Sequence, residues 1–178
     1  MSIRIVHAED VKEIATLVRS LSHYYLPQKI SSAQGSSTKS SSVKSLSTNR
    51  LPSWLLNSLT EEQFLQRINS YEYSNYVYCI DGVIVGYISM KEASHLYHLF
   101  VSEVHQGNGI ANALWQHIVK QNRVEKYTLR SSLYAVPVYK KWGFVETDTV
   151  REKDGIKFQA MALKKSRYVS CGRNWVSC

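Results

Sequence analysis

Apolar and polar positions alternate over residues 3–6, Ile-Arg-Ile-Val, with the period of two that marks a strand. The period then lengthens. Glu9 and Asp10 open a stretch in which Val11, Ile14, Ala15, Val18 and Leu21 share one face, which predicts a helix running to about Tyr25 and closed by Pro27. Thr60-Glu61-Glu62-Gln63 has the spacing of a capping box, with Gln63 placed to reach back to the Thr60 backbone. Phe64, Leu65 and Ile68 supply the buried side of the helix that follows. Strands are expected over 76–80 and 83–90, joined by the tight turn Asp81-Gly82, and again over 95–101, HLYHLFV. A helix over 109–121 buries Ile110, Ala113, Leu114 and Ile118. Then come a strand over 126–131, a short helix over 134–142 ended by Gly143, and a final hairpin of 144–149 with 156–163 through Lys153-Asp154-Gly155. The predicted order is β-α-α-β-β-β-α-β-α-β-β. Hairpins and crossover helices both occur, so the class is α/β (α+β) with a mixed sheet.

One stretch breaks the pattern. Residues 31–50 hold nine serines and no aromatic residue. Such a segment buries too little apolar area to offset its ordering entropy, and it is expected to be a flexible insertion. The roughly 30 residues before it are too few to fold alone, so residues 1–163 are expected to form one domain and 164–178 a tail. Hydrophobic content of 44% and charged content of 20% are ordinary for a globular protein. No run approaches the roughly 18 apolar residues of a membrane span. The N-terminus has an early acidic pair and no apolar signal core, so the expected location is cytoplasmic. Three cysteines, Cys79 in a strand and Cys171 and Cys178 in the tail, match no common metal spacing. No metal is expected. The net charge of +8 would suit an anionic ligand. The basic residues are scattered, and neither a helix-turn-helix pattern nor an aromatic RNA-binding signature is present, which argues against nucleic acid as the main partner.

Candidate chemistry begins at residues 105–111, HQGNGIA. A strand that ends in a glycine turn and enters a helix presents backbone N–H groups without intrahelical partners, at the positive end of the helix dipole. That is an anion site, and Gly107 and Gly109 permit the close approach it needs. The P-loop requires Lys-Ser/Thr where Ile110-Ala111 stands. The dinucleotide fingerprint requires Gly or Ala where Asn112 stands. Taken alone, the glycine pair also fits a plain strand-to-helix turn.

Its context resembles the GNAT superfamily of acyl-CoA N-acyltransferases. Gln106, Gly109 and Ala111 satisfy that family's Arg/Gln-x-x-Gly-x-Gly/Ala motif at the end of its fourth strand. The preceding LFVSEVH lacks the family's usual proline. In residues 131–144, SSLYAVPVYKKWGF, Ala135, Tyr139, Gly143 and Phe144 fall at the spacings of a second family motif, and Ser132 stands where Asn is usual. The serine keeps one hydrogen-bond donor and loses the amide's second. The N-terminal IRIVHAEDVKEIATLV is also similar to the family's first strand and helix.

The resemblance implies a mostly antiparallel sheet of about six or seven strands, splayed in the middle and flanked by about four helices. It implies acetyl-CoA as cosubstrate, its pyrophosphate on the backbone of Gln106, Gly107, Asn108, Gly109, Ile110 and Ala111. The pantetheine arm would run beside Leu99, Phe100 and Val101, with Ser132 close by. The acceptor, a small-molecule or protein amine, would attack the thioester directly from the other side of the splay. Tyr139 matches the family's general acid toward the CoA sulfur. The base is open. An unperturbed lysine is only about one part in a thousand neutral near pH 7.4, so its proton must go somewhere, to a side chain or through water. His95 and His98 are candidates, and their odd spacing on a strand points them to opposite faces. Glu103 is a loop carboxylate in range, and Tyr76, Tyr78 and Tyr97 either line the cleft or pack as strand aromatics. A non-catalytic acyl-CoA sensor on the same fold is the alternative function. In relatives the segment joining the first two helices shapes the acceptor side, and here that segment carries the serine-rich insertion. Homodimers are common in the family.

Overall fold

The computed structural model describes residues 1–25, 51–122 and 124–165. The serine-rich stretch 31–50, Pro27, the two tail cysteines and nearly all of the tail lie outside them. Among the described residues eight strands form one sheet in the order β1-β2-β3-β4-β5-β8-β6, with β7 also paired to β8. Their ranges are β1 Ser2–Ile5, β2 Tyr73–Ile80, β3 Val83–Lys91, β4 His95–Val101, β5 Lys126–Ser132, β6 Val145–Glu146, β7 Arg151–Lys153 and β8 Ile156–Lys164. The helices are α1 Val11–Ser20, α2 Ser53–Ser58, α3 Glu61–Asn69, α4 Ile110–Gln121 and α5 Val136–Lys141. Every strand pair is antiparallel except β4 with β5.

The sheet has a core on each face. Val11, Ile14, Val18 of α1 and Phe64 of α3 pack with Val77 and Tyr87 on one side. Leu114, Trp115 and Ile118 of α4 pack with Ile88, Met90, Leu129 and Met161 on the other. Cover on both faces explains why β3 reads as a near-continuous apolar run. Gly86 sits where α4 crosses that strand. A Cβ there would lie 3.0 Å from Ile110 Cγ2 and 3.1 Å from Leu114 Cδ1, so a bare backbone lets the helix sit close. Among the described residues no helix is long and apolar enough to cross a membrane.

Several expectations are corrected. The first helix stops at Ser20, and Ser22–Tyr25 form a separate 3-10 turn. The apolar spacing persists through Leu21, but the chain tightens after it. Helix α2 is additional, anchored by Leu55. The capping box is half made: Thr60 Oγ1 accepts from Gln63 N–H at 3.3 Å, while the Gln63 amide donates to Gln66 Oε1 at 2.9 Å instead of reaching back. The strand expected over 144–149 is limited to β6, and β7 forms beyond its expected end. Asp148 makes the break, because its carboxylate accepts from Thr149 N–H at 2.8 Å and its carbonyl from the Gln159 amide at 2.7 Å. Lys164 belongs to β8 and not to the tail.

β1 is tied to α1 by Asp10. Its carboxylate accepts from Arg4 Nη1 and Nη2 at 2.7 and 2.8 Å and from the His7 backbone at 2.8 Å. These partners, Arg4 first, hold its pKa below the ordinary value of 3.8. A depressed carboxylate stabilises the fold above its unfolded pKa and loses that contribution as pH falls through the folded one. Thermal unfolding followed from pH 7 to below 4 should therefore show Asp10→Asn melting lower than wild type at neutral pH. The gap should close in acid, and a constant gap would show that the ionised pair contributes nothing.

Candidate active site

β4 and β5 pair at His95 with Thr128 and at Leu96 with Leu129, and then part. Each is held on its other side along its length, β4 by β3 and β5 by β8. The gap is therefore fixed between two well-paired half sheets. Two clefts open into it from opposite faces.

The first, of about 580 Å³, lies on the α4–α5 face and includes Leu99, Val101, residues 105–107 and 109–112, Ala135, Tyr139 and Lys141. Gly107 and Gly109 have φ of +79° and +78°. This left-handed region is strained for any side chain with a Cβ. No atom lies within 4 Å of a Cβ built at either position, so the turn is open. The first bond closing α4 runs from Ala113 N–H to Gly109 carbonyl at 2.9 Å. The amides of Ile110, Ala111 and Asn112 precede that bond, at the positive end of the helix. Gln106 braces the turn: its amide donates to the Val101 carbonyl at 3.0 Å, satisfying a group that the parting of the strands leaves unpaired. Asn108 is exposed, donates to the His105 carbonyl at 3.4 Å and lines neither cleft.

The second pocket, of about 130 Å³, lies on the α1 face and is bounded by Leu21, Tyr24, Tyr25, residues 96–101 and 129–132, and Tyr134. Phe100 lines this pocket and not the first cleft, whereas its neighbours Leu99 and Val101 line both. Strand alternation is the cause. Ser132 is on this side too, and its carbonyl accepts from Ala135 N–H at 3.1 Å.

Tyr139 lies where the two openings meet and lines each. Its ring packs edge-on to Trp142 and Phe144, and Trp142 stacks on Trp115 of α4 at 5.9 Å. Gly143, at φ +88°, closes α5 as expected, with Phe144 N–H donating to the Tyr139 carbonyl at 3.1 Å. Tyr139 is 8% exposed, and burial followed by the neighbouring Tyr25 pushes its phenol pKa well above the ordinary value of 10. It is a protonated donor. Among the described residues its hydroxyl has no hydrogen-bond partner.

The candidate bases part company. The cross-strand register sets His95 against Lys91 and His98 against Ser89, two residues apart on β3, so both histidines share a face. The expectation of opposite faces is wrong because a bulge at Tyr97 absorbs one residue. His95 lies outside both clefts, its Nδ1 2.8 Å from Thr128 Oγ1. Burial lowers its pKa, with Arg130 and Lys91 adding to the effect. His98 lines the second pocket but is buried among Phe64, Tyr87, Tyr97 and Phe100, and neither ring nitrogen has a partner. Burial, and then Arg67, push its pKa down to about 3. Glu103 accepts from Tyr24 Oη at 2.9 Å and lies 3.2 Å from His23 Nε2 at the rim. Tyr76 and Tyr78 bond outside the clefts, to Gln121 and Met1, while Tyr97 faces the pocket. Sequence reasoning missed Leu21, Tyr24, Tyr25, Tyr134 and Lys141. Only Leu21 belonged to a periodic pattern, and that pattern marked it as core. Among the described residues no cluster of His, Cys, Asp or Glu suited to a metal is present.

The same architecture occurs in solved acetyltransferases. The PaiA N-acetyltransferase of Thermoplasma acidophilum, solved in complex with coenzyme A, is 20% identical. It superposes with a TM-score of 0.66 over 92% of this chain and 98% of its own. A variant of the Vibrio cholerae spermidine N-acetyltransferase is 16% identical, with a TM-score of 0.61 over 95% of this chain and 98% of that one. A ribosomal-protein alanine N-acetyltransferase of Escherichia coli is 18% identical, with a TM-score of 0.60 over 99% of both. At these identities the likeness is one of fold. No curated protein sequence matches. The GNAT acetyltransferase domain profile matches residues 42–165, which spans the glycine turn, the parted strands and α5. The chain therefore belongs to the GNAT acetyltransferase family.

Proposed function

We propose that this protein transfers an acetyl group from acetyl-CoA to a primary amine, with Tyr139 as general acid. The observation that carries this reading is the meeting of two clefts, one on each face of the sheet, at a buried and protonated phenol. The α4–α5 cleft fits the cosubstrate. Its volume is within the roughly 300–1,000 Å³ of small-molecule sites. Its turn offers open amides at a helix N-terminus, and Lys141 adds a cation to the lining. Gly107, Gly109, Ile110 and Ala111 would hold the pyrophosphate, with Leu99 and Val101 beside the arm. Bound acetyl-CoA supplies the acetyl group as a thioester open to direct attack.

The remaining work falls to the chain. The second pocket admits the amine from the opposite face. Tyr139 keeps its proton because ionisation at a buried site is costly, and it gives that proton to the departing sulfur. Neither histidine serves as base, since one is engaged with Thr128 and the other has lost its basicity to burial. The amine's proton passes to water at the pocket mouth, and water returns a proton to the Tyr139 phenolate, so the cycle closes without net proton change. Ser132 offers a single hydroxyl in place of an amide.

Titration calorimetry with acetyl-CoA should show binding to the wild type. Gly109→Val should weaken it at least tenfold and lower the melting temperature, because a β-branched residue at φ +78° costs about 1–3 kcal/mol. Unchanged affinity would remove the turn from the site. Tyr139→Phe should lower kcat by about 10²- to 10⁴-fold at unchanged acetyl-CoA affinity. Wild-type turnover in that variant would exclude the phenol, and binding without thiol release from any amine would leave a sensor. The rate should rise with pH as the amine deprotonates. It should not fall as pH crosses about 10, the ordinary tyrosine value, since Tyr139 is raised above it.

A further inference from the structure

The second pocket has a chemical character of its own. Its volume of about 130 Å³ is close to the roughly 150 Å³ apolar cavity that accepts a benzene molecule. Tyr25, Tyr97 and Phe100 supply ring surface, and Leu21 an aliphatic wall. Tyr24 and Tyr134 stack at 4.4 Å beside the mouth. Among the described lining residues there is no Asp or Glu, and Arg130 carries the only fixed charge. His98 is neutral. The nearby carboxylate, Glu103, stands outside the lining and is engaged by Tyr24 and His23.

An acceptor with several ammonium groups would have to bring its unreacted charges against these rings and Arg130 with no lining carboxylate to receive them. Ring faces attract a cation only modestly, several desolvated charges without a counter-ion are disfavoured, and Arg130 adds like-charge repulsion. The chain's net charge of +8 opposes polycations further. Resting on the acetyl-transfer reading above, we propose that the acceptor is a compact primary amine carrying one ring, which sits between Tyr97, Phe100 and Tyr25 while its amine points to the gap beside Tyr139. Tyr97 is the specificity-determining residue. It is 40% exposed at the bulge of β4, and its ring packs edge-on to Tyr73 at 5.5 Å and to His98 at 4.5 Å, which sets its plane.

The test uses the full chain with acetyl-CoA, following thiol release with benzylamine, spermidine and a lysine-bearing peptide, and calorimetry for acetyl-CoA alone. Benzylamine should exceed both others at least tenfold in kcat/KM. Tyr97→Ala should raise the KM for benzylamine about tenfold while leaving the KM for acetyl-CoA unchanged. Tyr97→Glu, which places a carboxylate in the lining, should move preference toward spermidine, a gain that loss of folding cannot mimic. Spermidine or peptide matching benzylamine in the wild type would overturn the inference. So would acetyl-CoA binding with no turnover of benzylamine, which leaves the cosubstrate site standing. Failure to bind acetyl-CoA would instead bring down the underlying reading.

Discussion

The parting of β4 from β5 is the constraint on which the rest of the molecule depends. The two strands run parallel, and parallel pairs require crossover elements instead of a tight turn. Helix α4 supplies that crossover, so the strand that ends at Val101 must turn at once into a helix start. The glycine turn and its forward-facing amides follow from this. Each strand is already committed to an antiparallel partner, β4 to β3 and β5 to β8, so the sheet twists as two units with a shared seam only two residue pairs long. Backbone groups beyond the seam need other partners, and the Gln106 amide takes one of them.

A gap in a sheet would collapse or fill unless its walls were stiff. Here stiffness comes from packing on both faces. α1 and α3 cover one side, α4 and α5 the other, and each has its own apolar core. α5 is only six residues long and could not hold its position by helix propensity alone. The aromatic contacts of Trp142 and Phe144 with Trp115 and Tyr139, together with the Gly143 cap, fix it to α4. The group at the junction, Tyr139, is thereby packed in place and largely buried. Those same conditions keep it protonated.

The two openings differ electrically, although both reach the same tyrosine. The α4–α5 side offers helix-terminal amides and Lys141, and so attracts anions. The α1 side is ring-lined, with a neutral histidine and no carboxylate in its described lining. On the proposed reading, a site built this way would distinguish its two substrates by charge before any fine contact is made.

The sequence by itself determined most of the element order, the glycine turn and the place of Tyr139 on α5, because each is written in local chemistry. Periodicity marks a face, glycine marks a positive φ, and motif spacing fixes neighbours along one helix. It singled out Gln106 as part of the turn motif, whereas the bond from its amide to the Val101 carbonyl depends on where the strand ends in space. What it could not determine was anything set by register between distant segments. The bulge at Tyr97 reversed the faces inferred for His95 and His98, because alternation counts residues whereas pairing with β3 skips one. Asp148 divided the last hairpin through Gln159, eleven residues away. Tyr24 and Tyr25 joined the α1-face pocket only because a 3-10 turn after α1 brings them against β4 and Tyr134. Whether His98 is basic was likewise decided by tertiary structure, since burial among four aromatic rings, and not residue type, sets its proton affinity.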